Sequence, residues 1–349
     1  MMKQVSIFIL SILTVAGTFA QSAPDYSLVP FRVADKWGYA TPEKQVVIEP
    51  KYAEAGWFSE GMAAVKIGNK YGYINRTGKL VIPARYTVAK PFRKGYRPHK
   101  GKEGGDSVLF AGASITANGY EICIDQKGKR MPQCPAINEN SAVENKEPLT
   151  QIVQEKTYSL PGNKDLFDKI VDDYKMPDQQ ETYYIAVKDN RYGVFNSKFE
   201  TIVPFEYSSI RMNRNKNMPF LEVNKAGMFG VIMADGKVSI EPVYSNLKAV
   251  EGLDGTEYII IRKDGKNYVK DINNRDIIST GFADITYDNG GFVITSDEQL
   301  KGYYFTDNHV IQPKYKEINW PNGSPYLLVK TKDGRQGYIS TTGEEYFRD

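Results

Sequence analysis

The chain holds two histidines, His99 and His309, and two cysteines, Cys123 and Cys134, among 349 residues. The histidines stand 210 residues apart, and neither belongs to a Cys/His spacing that would build a tetrahedral zinc site. The run Gly112-Ala113-Ser114-Ile115-Thr116 lacks the second glycine of a nucleophile elbow. There is no H-E-x-x-H, phosphate loop, dinucleotide fingerprint or calcium loop, and Tyr287-Asp288-Asn289-Gly290-Gly291 reads as a turn. Asp235-Gly236, Asp264-Gly265 and Asp333-Gly334 fall where hairpin turns belong, so their carboxylates are expected to shape turns rather than hold a metal. A glycosidase pair of carboxylates meets only in the folded chain, and nothing local nominates one. The sequence thus names no catalytic residue, metal ligand or cofactor, and it favours a non-catalytic role over an enzyme.

Two features could bind rather than react. Arg93, Lys94, Arg97, Lys100 and Lys102, with Tyr96 and His99, form a basic stretch suited to an anion or glycan phosphate, or to a solvated insertion. Trp37, Trp57 and Trp320, with 24 tyrosines, could stack carbohydrate. Against that, Tyr52, Tyr86, Tyr207, Tyr244 and Tyr315 recur at one fixed position. A core or seam tyrosine, its hydroxyl bonded to backbone, recurs in this way.

The elements that must carry these residues are legible between Glu60 and Phe92. Ala63 to Ile67 reads as a strand, Gly68-Asn69 as a turn, Tyr71 to Asn75 as a second strand, Arg76 to Lys79 as a turn, and Leu80 to Ile82 as a third strand closed by Pro83. The strand glycine, Gly72, is expected to accept an aromatic ring against its bare backbone. The same grammar recurs around Gly38, Gly193, Gly230, Gly302 and Gly337, with a degenerate copy centred on Asn267. The glycine leads the closing tyrosine by fourteen residues in four copies and by thirteen at Gly302. Neighbouring copies are mostly 34 to 37 residues apart, a period that marks a repeat architecture.

Lys36-Trp37-Gly38-Tyr39, the Ile-x-Pro-x-Tyr tail and the joint Phe58-Ser59-Glu60-Gly61 resemble the WG (KWG) β-repeat family of bacterial proteins. The resemblance spans most of the chain beyond the leader. It implies an exported or cell-envelope protein and no shared activity. Only the first copy keeps the tryptophan. Tyr71, Tyr192 and Phe229 replace it later, which argues against a site built on a repeated Trp.

Residues 1–20 read as a secretory signal peptide, with Lys3, an apolar run from Val5 to Ala16, and Thr18-Phe19-Ala20 before the cut. Export would place the protein in the periplasm, at the cell surface or outside, with no later membrane span. A net charge of +3 gives no field suited to nucleic acid. Export also permits a disulfide between Cys123 and Cys134, which lie in a worn third unit, Val108 to Pro135, where Ile122 replaces the strand glycine. Repeats are expected over 21–135 and 181–349. A helical insertion over 136–180 would separate them, with Asn163 as cap, Leu166, Phe167, Ile170, Val171 and Tyr174 on one face, and Pro177 as stop. The final unit stops two residues short of its tail tyrosine, as a terminal cap or with a strand supplied from elsewhere. The expected fold is all-β: tandem three-stranded antiparallel units in a twisted open solenoid-like array, or a propeller-like one, with one inserted amphipathic helix. The partner would be a protein or glycan of the cell envelope.

Overall fold

A computed structural model describes residues 24–98, 105–115, 121–135, 166–176, 181–214, 219–321 and 323–349. The leader, His99, Lys100, Lys102, Asn163 and Pro177 lie outside these residues. Every element described is a strand, and the strands form eight sheets. The chain divides into two compact units. One runs to Lys146 and includes Tyr346–Asp349; the other runs from Glu147 to Glu345.

The sheets have four strands where three were expected. In the second sheet Glu54–Ala55, Met62–Ile67, Lys70–Asn75 and Leu80–Tyr86 pair in chain order. The unforeseen strand is the short first one. It arises because the chain does not stop at the tail tyrosine. One residue later it enters the edge of the next sheet, and that connecting residue already donates its N–H there. Ala53 bonds to Lys66 O, Thr87 to Ser114 O, Ser208 to Asn224 O, Ser245 to Arg262 O, Ala283 to Thr295 O and Lys316 to Lys330 O. Each handover therefore ties one sheet to its successor through the backbone.

The tail strand also runs further than expected. Leu80–Tyr86 continues through Pro83, which sits in a bulge instead of ending the strand. Tyr73 pairs with Ile82 and Tyr71 with Tyr86, so Gly72 faces three residues, Pro83 to Arg85, where regular pairing would allow one. The arch explains the glycine. A Cβ on Gly72 would lie 2.6 Å from Ile82 O and 2.8 Å from Ala84 N. Gly38, Gly230 and Gly302 meet the same bulge backbone at 2.1, 2.5 and 2.2 Å. Among these five repeat glycines Gly193 alone meets an aromatic ring first, that of Phe205. The expected cause, a ring on bare backbone, thus holds once, and the crossing main chain is the general one.

Two degenerate units confirm the logic. Asn267 pairs with Phe282 and Val269 with Ile278, so Tyr268 occupies the glycine position and Asn267 that of the tryptophan. There the glycine has moved to the arch itself, since a Cβ on Gly281 would meet the Tyr268 hydroxyl at 2.7 Å. In the third sheet no arched strand follows Ile122–Ile124 among the described residues, and the glycine position holds Ile122. That sheet instead gains a hairpin. Arg93–Pro98 pairs with the first half of Gly105–Ser114, whose second half pairs with Val88–Ala89 and Ile122–Ile124.

The expected helix is absent from 166–176. Lys169–Lys175 is the first strand of the fourth sheet, paired with Thr182–Lys188 through a bulge at Val171. Ile170 and Tyr174 are four apart, as on one face of a helix, but the bulge sets them on opposite faces of this strand, paired with Ala186 and Tyr183. Thr182–Lys188 supplies the pairing that settles the choice.

The core lies between successive sheets. Glu257–Lys263 shows the principle: Tyr258 and Ile260 pack with Ile285, Phe292 and Ile294 of the following sheet, while Ile259 and Ile261 pack with Phe220, Val231 and Ile240 of the preceding one. Both faces are buried, so the strand reads as a continuous apolar run instead of an alternating one. Each such side chain contributes roughly 1.5–3 kcal/mol by leaving water. The tail tyrosines Tyr52, Tyr86, Tyr207 and Tyr315 are buried, and Tyr244 is half-buried. Tyr86 donates to Gly128 O and Tyr52, at 3.4 Å, to Gly78 O, each a turn of the following sheet.

The eighth sheet has three strands among the described residues, Glu317–Asn319, Tyr326–Lys330 and Gln336–Ser340. Beyond it Phe347–Arg348 runs parallel to Val29–Val33 and completes the first sheet. Arg32, 2% exposed, is held there by Asp349 Oδ1 at 2.8 Å, by Ala34 O, and over the Phe347 ring.

Candidate functional site

Of the basic stretch, Arg93, Lys94, Tyr96 and Arg97 lie among the described residues. Arg93 and Arg97 share one face of Arg93–Pro98, and Lys94 lies on the other, because side chains alternate along a strand. The Arg93 guanidinium covers the Phe110 ring at 5.1 Å, and Arg97 stands opposite Asp106 in the register. Arg93, Lys94 and Arg97 therefore do not converge on one point. Cys123 and Cys134 are joined by a disulfide, with Cα atoms 5.2 Å apart. It ties the segment after Ile122–Ile124 back to that strand, beside buried Phe110 and Met131.

The turn carboxylates are engaged locally. Asp235 Oδ1 accepts from Lys237 N, Asp125 Oδ1 from Lys127 N and Lys129 N, and Asp271 Oδ1 from Asn273 N and Arg275 N. The Asp333 carboxyl is held well below the usual carboxylate range by hydrogen bonds from Arg335 and Thr331. Among the described residues no group of three His, Cys, Asp or Glu side chains is placed to hold a metal ion.

A cleft of about 260 Å³ opens in the second unit where strands of its last two sheets turn. Its lining comes from four places. Gly290 lies in the turn between Asp284–Asp288 and Gly291–Thr295, and Phe305, Thr306, Asp307 and His309 follow Lys301–Phe305. Trp320 begins the loop after Glu317–Asn319, and Thr341 follows Gln336–Ser340. The local sequence explains each bend. Gly290 and Asn308 adopt positive φ, and Asp307 Oδ1 takes the His309 N–H at 3.0 Å to close its turn.

The indole of Trp320 is fixed on several sides. Its Nε1 donates to Ser324 O at 2.7 Å, and its own carbonyl accepts from Asn289 Nδ2 at 3.0 Å. Phe305 and Tyr303 pack edge-on against it at centroid distances of 5.2 and 5.5 Å. The Tyr303 hydroxyl is pushed above its usual range, first by burial and then by Asp288, so it stays neutral and bonded to Asp288 O. Phe305 floors the cleft, and Thr306, Asp307 and His309 are exposed around it. The arrangement offers an aromatic wall ringed by hydroxyls, one imidazole and one carboxylate.

Sequence reasoning had Trp320 only within a set of three tryptophans, and the fold separates that set. Trp37 is buried, and Trp57 packs against Tyr26 in the first unit. The signal that could have marked the cleft was the interrupted repeat, Trp320-Pro321-Asn322-Gly323, set just past a strand end.

A model of the WG containing repeat matches residues 37–71, 71–96 and 192–225. Those three stretches match the WG repeat. Each match begins at the aromatic residue before the strand glycine and runs into the next sheet, so one WG repeat is one sheet-to-sheet step. The second match stops at Tyr96, inside the added hairpin of the third sheet. No curated protein matches the sequence. Among solved structures the chain is similar to BBS1N in complex with ARL6DN, at 11% identity and TM-score 0.22 over 47% of this chain. It spans 62% of that BBS1N chain. It is also similar to Kluyveromyces lactis Hsv2p, at 9% and 0.24 over 80% of this chain and 89% of the other. A protein of unknown function from Bacteroides caccae aligns at 11% and 0.22 over 92% of both chains. Likenesses of this size settle neither fold nor ligand.

Proposed function

We propose that this WG-repeat protein is a non-catalytic binding protein of the cell envelope, exported by the leader at residues 1–20, which holds a protein or glycan on its repeats. The cleft at Trp320 carries the reading. Of its seven lining residues Asp307 alone bears a carboxylate, and one oxygen of that group is already engaged by the His309 N–H. Hydrolysis of a glycoside by the usual route needs two carboxyl groups flanking the bond, about 5 to 9 Å apart. A fixed aromatic wall with a polar rim is instead the composition of a recognition site.

The test is capture of envelope components by the mature chain, residues 21–349, against a heat-denatured control, with cell fractionation to follow cleavage after Ala20. Retention of one component by the folded chain alone, from an exported protein, supports the reading. Turnover of an envelope polymer that Asp307→Asn abolishes would replace it with an exported glycan-acting hydrolase.

A further inference from the structure

We propose that the Trp320 cleft takes one pyranose ring of an uncharged glycan; this rests on the binding reading above and names its ligand class. The first argument is size. A volume of about 260 Å³ lies just under the roughly 300–1,000 Å³ typical of small-molecule sites. It admits one ring and excludes an extended peptide segment.

The second argument is preorganisation. The indole is held by Ser324 O and by the edges of Phe305 and Tyr303 before any ligand arrives. Little side-chain freedom remains to be lost when a flat C–H face settles on it. Gly290 turns the chain beside the indole, its φ of +95° lying in the left-handed region that favours glycine, with Cζ3 of Trp320 3.7 Å from where its Cβ would be. On its other side lies Leu253, 66% exposed, whose N–H is fixed by the Tyr287 hydroxyl. It supplies an apolar lip for the sugar next along the chain.

The third argument is the rim. Thr306 and Thr341 each bring a hydroxyl that donates and accepts. The His309 backbone holds Asp307 through Oδ1, which leaves Oδ2 to accept from a ligand hydroxyl. A pyranose presents an apolar C–H face and a ring of hydroxyls, and so matches wall and rim together. A purely apolar ligand would cover these polar groups without bonding them, at a cost of about 1–3 kcal/mol each. An ammonium ion is the competing match, drawn by the indole and the Asp307 charge.

The experiment titrates the mature protein with chitobiose, cellobiose and maltotriose, and separately with tetramethylammonium chloride, by calorimetry and tryptophan emission. Saturable binding of at least one saccharide is expected, weakened about ten-fold or more by Trp320→Ala. Thr341→Val and Asp307→Asn should weaken it less while leaving the urea midpoint unchanged, which separates lost recognition from lost folding. The proposal is overturned if no saccharide saturates, if binding survives Trp320→Ala, or if only tetramethylammonium binds. Envelope capture that persists through such a result would leave the broader binding reading standing and remove only the ligand class.

Discussion

Replacing strand glycines by alanine should separate two kinds of crowding. In Gly230→Ala the new methyl would lie 2.5 Å from Ile240 O and 2.7 Å from Pro242 N, both main-chain atoms of the arch. Relief requires the bulge to move, and that bulge is pinned by the Phe229–Tyr244 and Val231–Ile240 pairs on either side. Overpacking of this kind costs about 1–3 kcal/mol. Alanine in a strand otherwise regains about 0.5–1 kcal/mol over glycine; with every contact at main-chain atoms the upper end of the overpacking cost applies, which leaves a net loss of roughly 2 kcal/mol. Gly193→Ala would instead meet the Phe205 ring at 2.7 Å, and that half-buried side chain can rotate away. Its loss should stay below about 1 kcal/mol. Equilibrium urea unfolding, read by circular dichroism, gives both values. Equal destabilisation by the two variants, or a neutral Gly230→Ala, would refute the arch as the reason for the glycine.

Alkali should unfold the protein ahead of general base damage. Burial raises the hydroxyls of Tyr73, Tyr174, Tyr303 and Tyr315, and burial with the Glu54 bond pushes Tyr71 up to about 12. A raised folded-state value stabilises fully below the unfolded value near 10, and the benefit is lost as pH climbs above it. Each tyrosine then contributes up to about 1.4 kcal/mol per pH unit. A urea midpoint that stays constant from pH 9 to 11 would count against this burial. Removing Phe347–Asp349 should cost roughly 3 kcal/mol or more, from the lost Phe347 burial and from the loss of Asp349 beside the buried Arg32 guanidinium. Arg32→Met in the shortened chain should recover part of that loss, and no recovery would show that the buried charge is not the cause. Reducing the Cys123–Cys134 bond, which spans 11 residues, should cost about 2–3 kcal/mol. Its effect should appear as faster proteolysis after Met131, with Trp320-dependent binding unchanged.

The periodic part of this fold was readable because each unit repeats one steric problem. Gly72 and Tyr86 keep their spacing since the arch between them has fixed length. The added strand was not readable in the second and third sheets, where Glu54–Ala55 and Val88–Ala89 are two residues each, too short to show a period. The helix was misread because a bulge at Val171 breaks the period of two and leaves the four-residue spacing of Ile170 and Tyr174 looking helical, and the choice depends on a partner strand elsewhere in the chain. At the sixth unit a 37-residue step pointed to Asn267, one residue from the true equivalent, Tyr268, since the glycine had moved across to Gly281. The cleft was invisible for a different reason. Its residues come from positions 290, 305–309, 320 and 341, and only the packing of Trp320 against Phe305 makes them one surface.

The backbone handover after each tail tyrosine bears on how such a chain can grow. Because the WG repeat begins in mid-sheet, copying one repeat in the gene inserts the end of one sheet and the start of the next. Every interior sheet stays whole whatever the number of copies, and no new edge is exposed to aggregation. Length can therefore change by duplication or loss without redesign of any interface. In the first sheet the place of a handed-over strand beside Val29–Val33 is taken by Phe347–Arg348, in parallel, so any gain or loss of copies has to keep that one distant pair within reach.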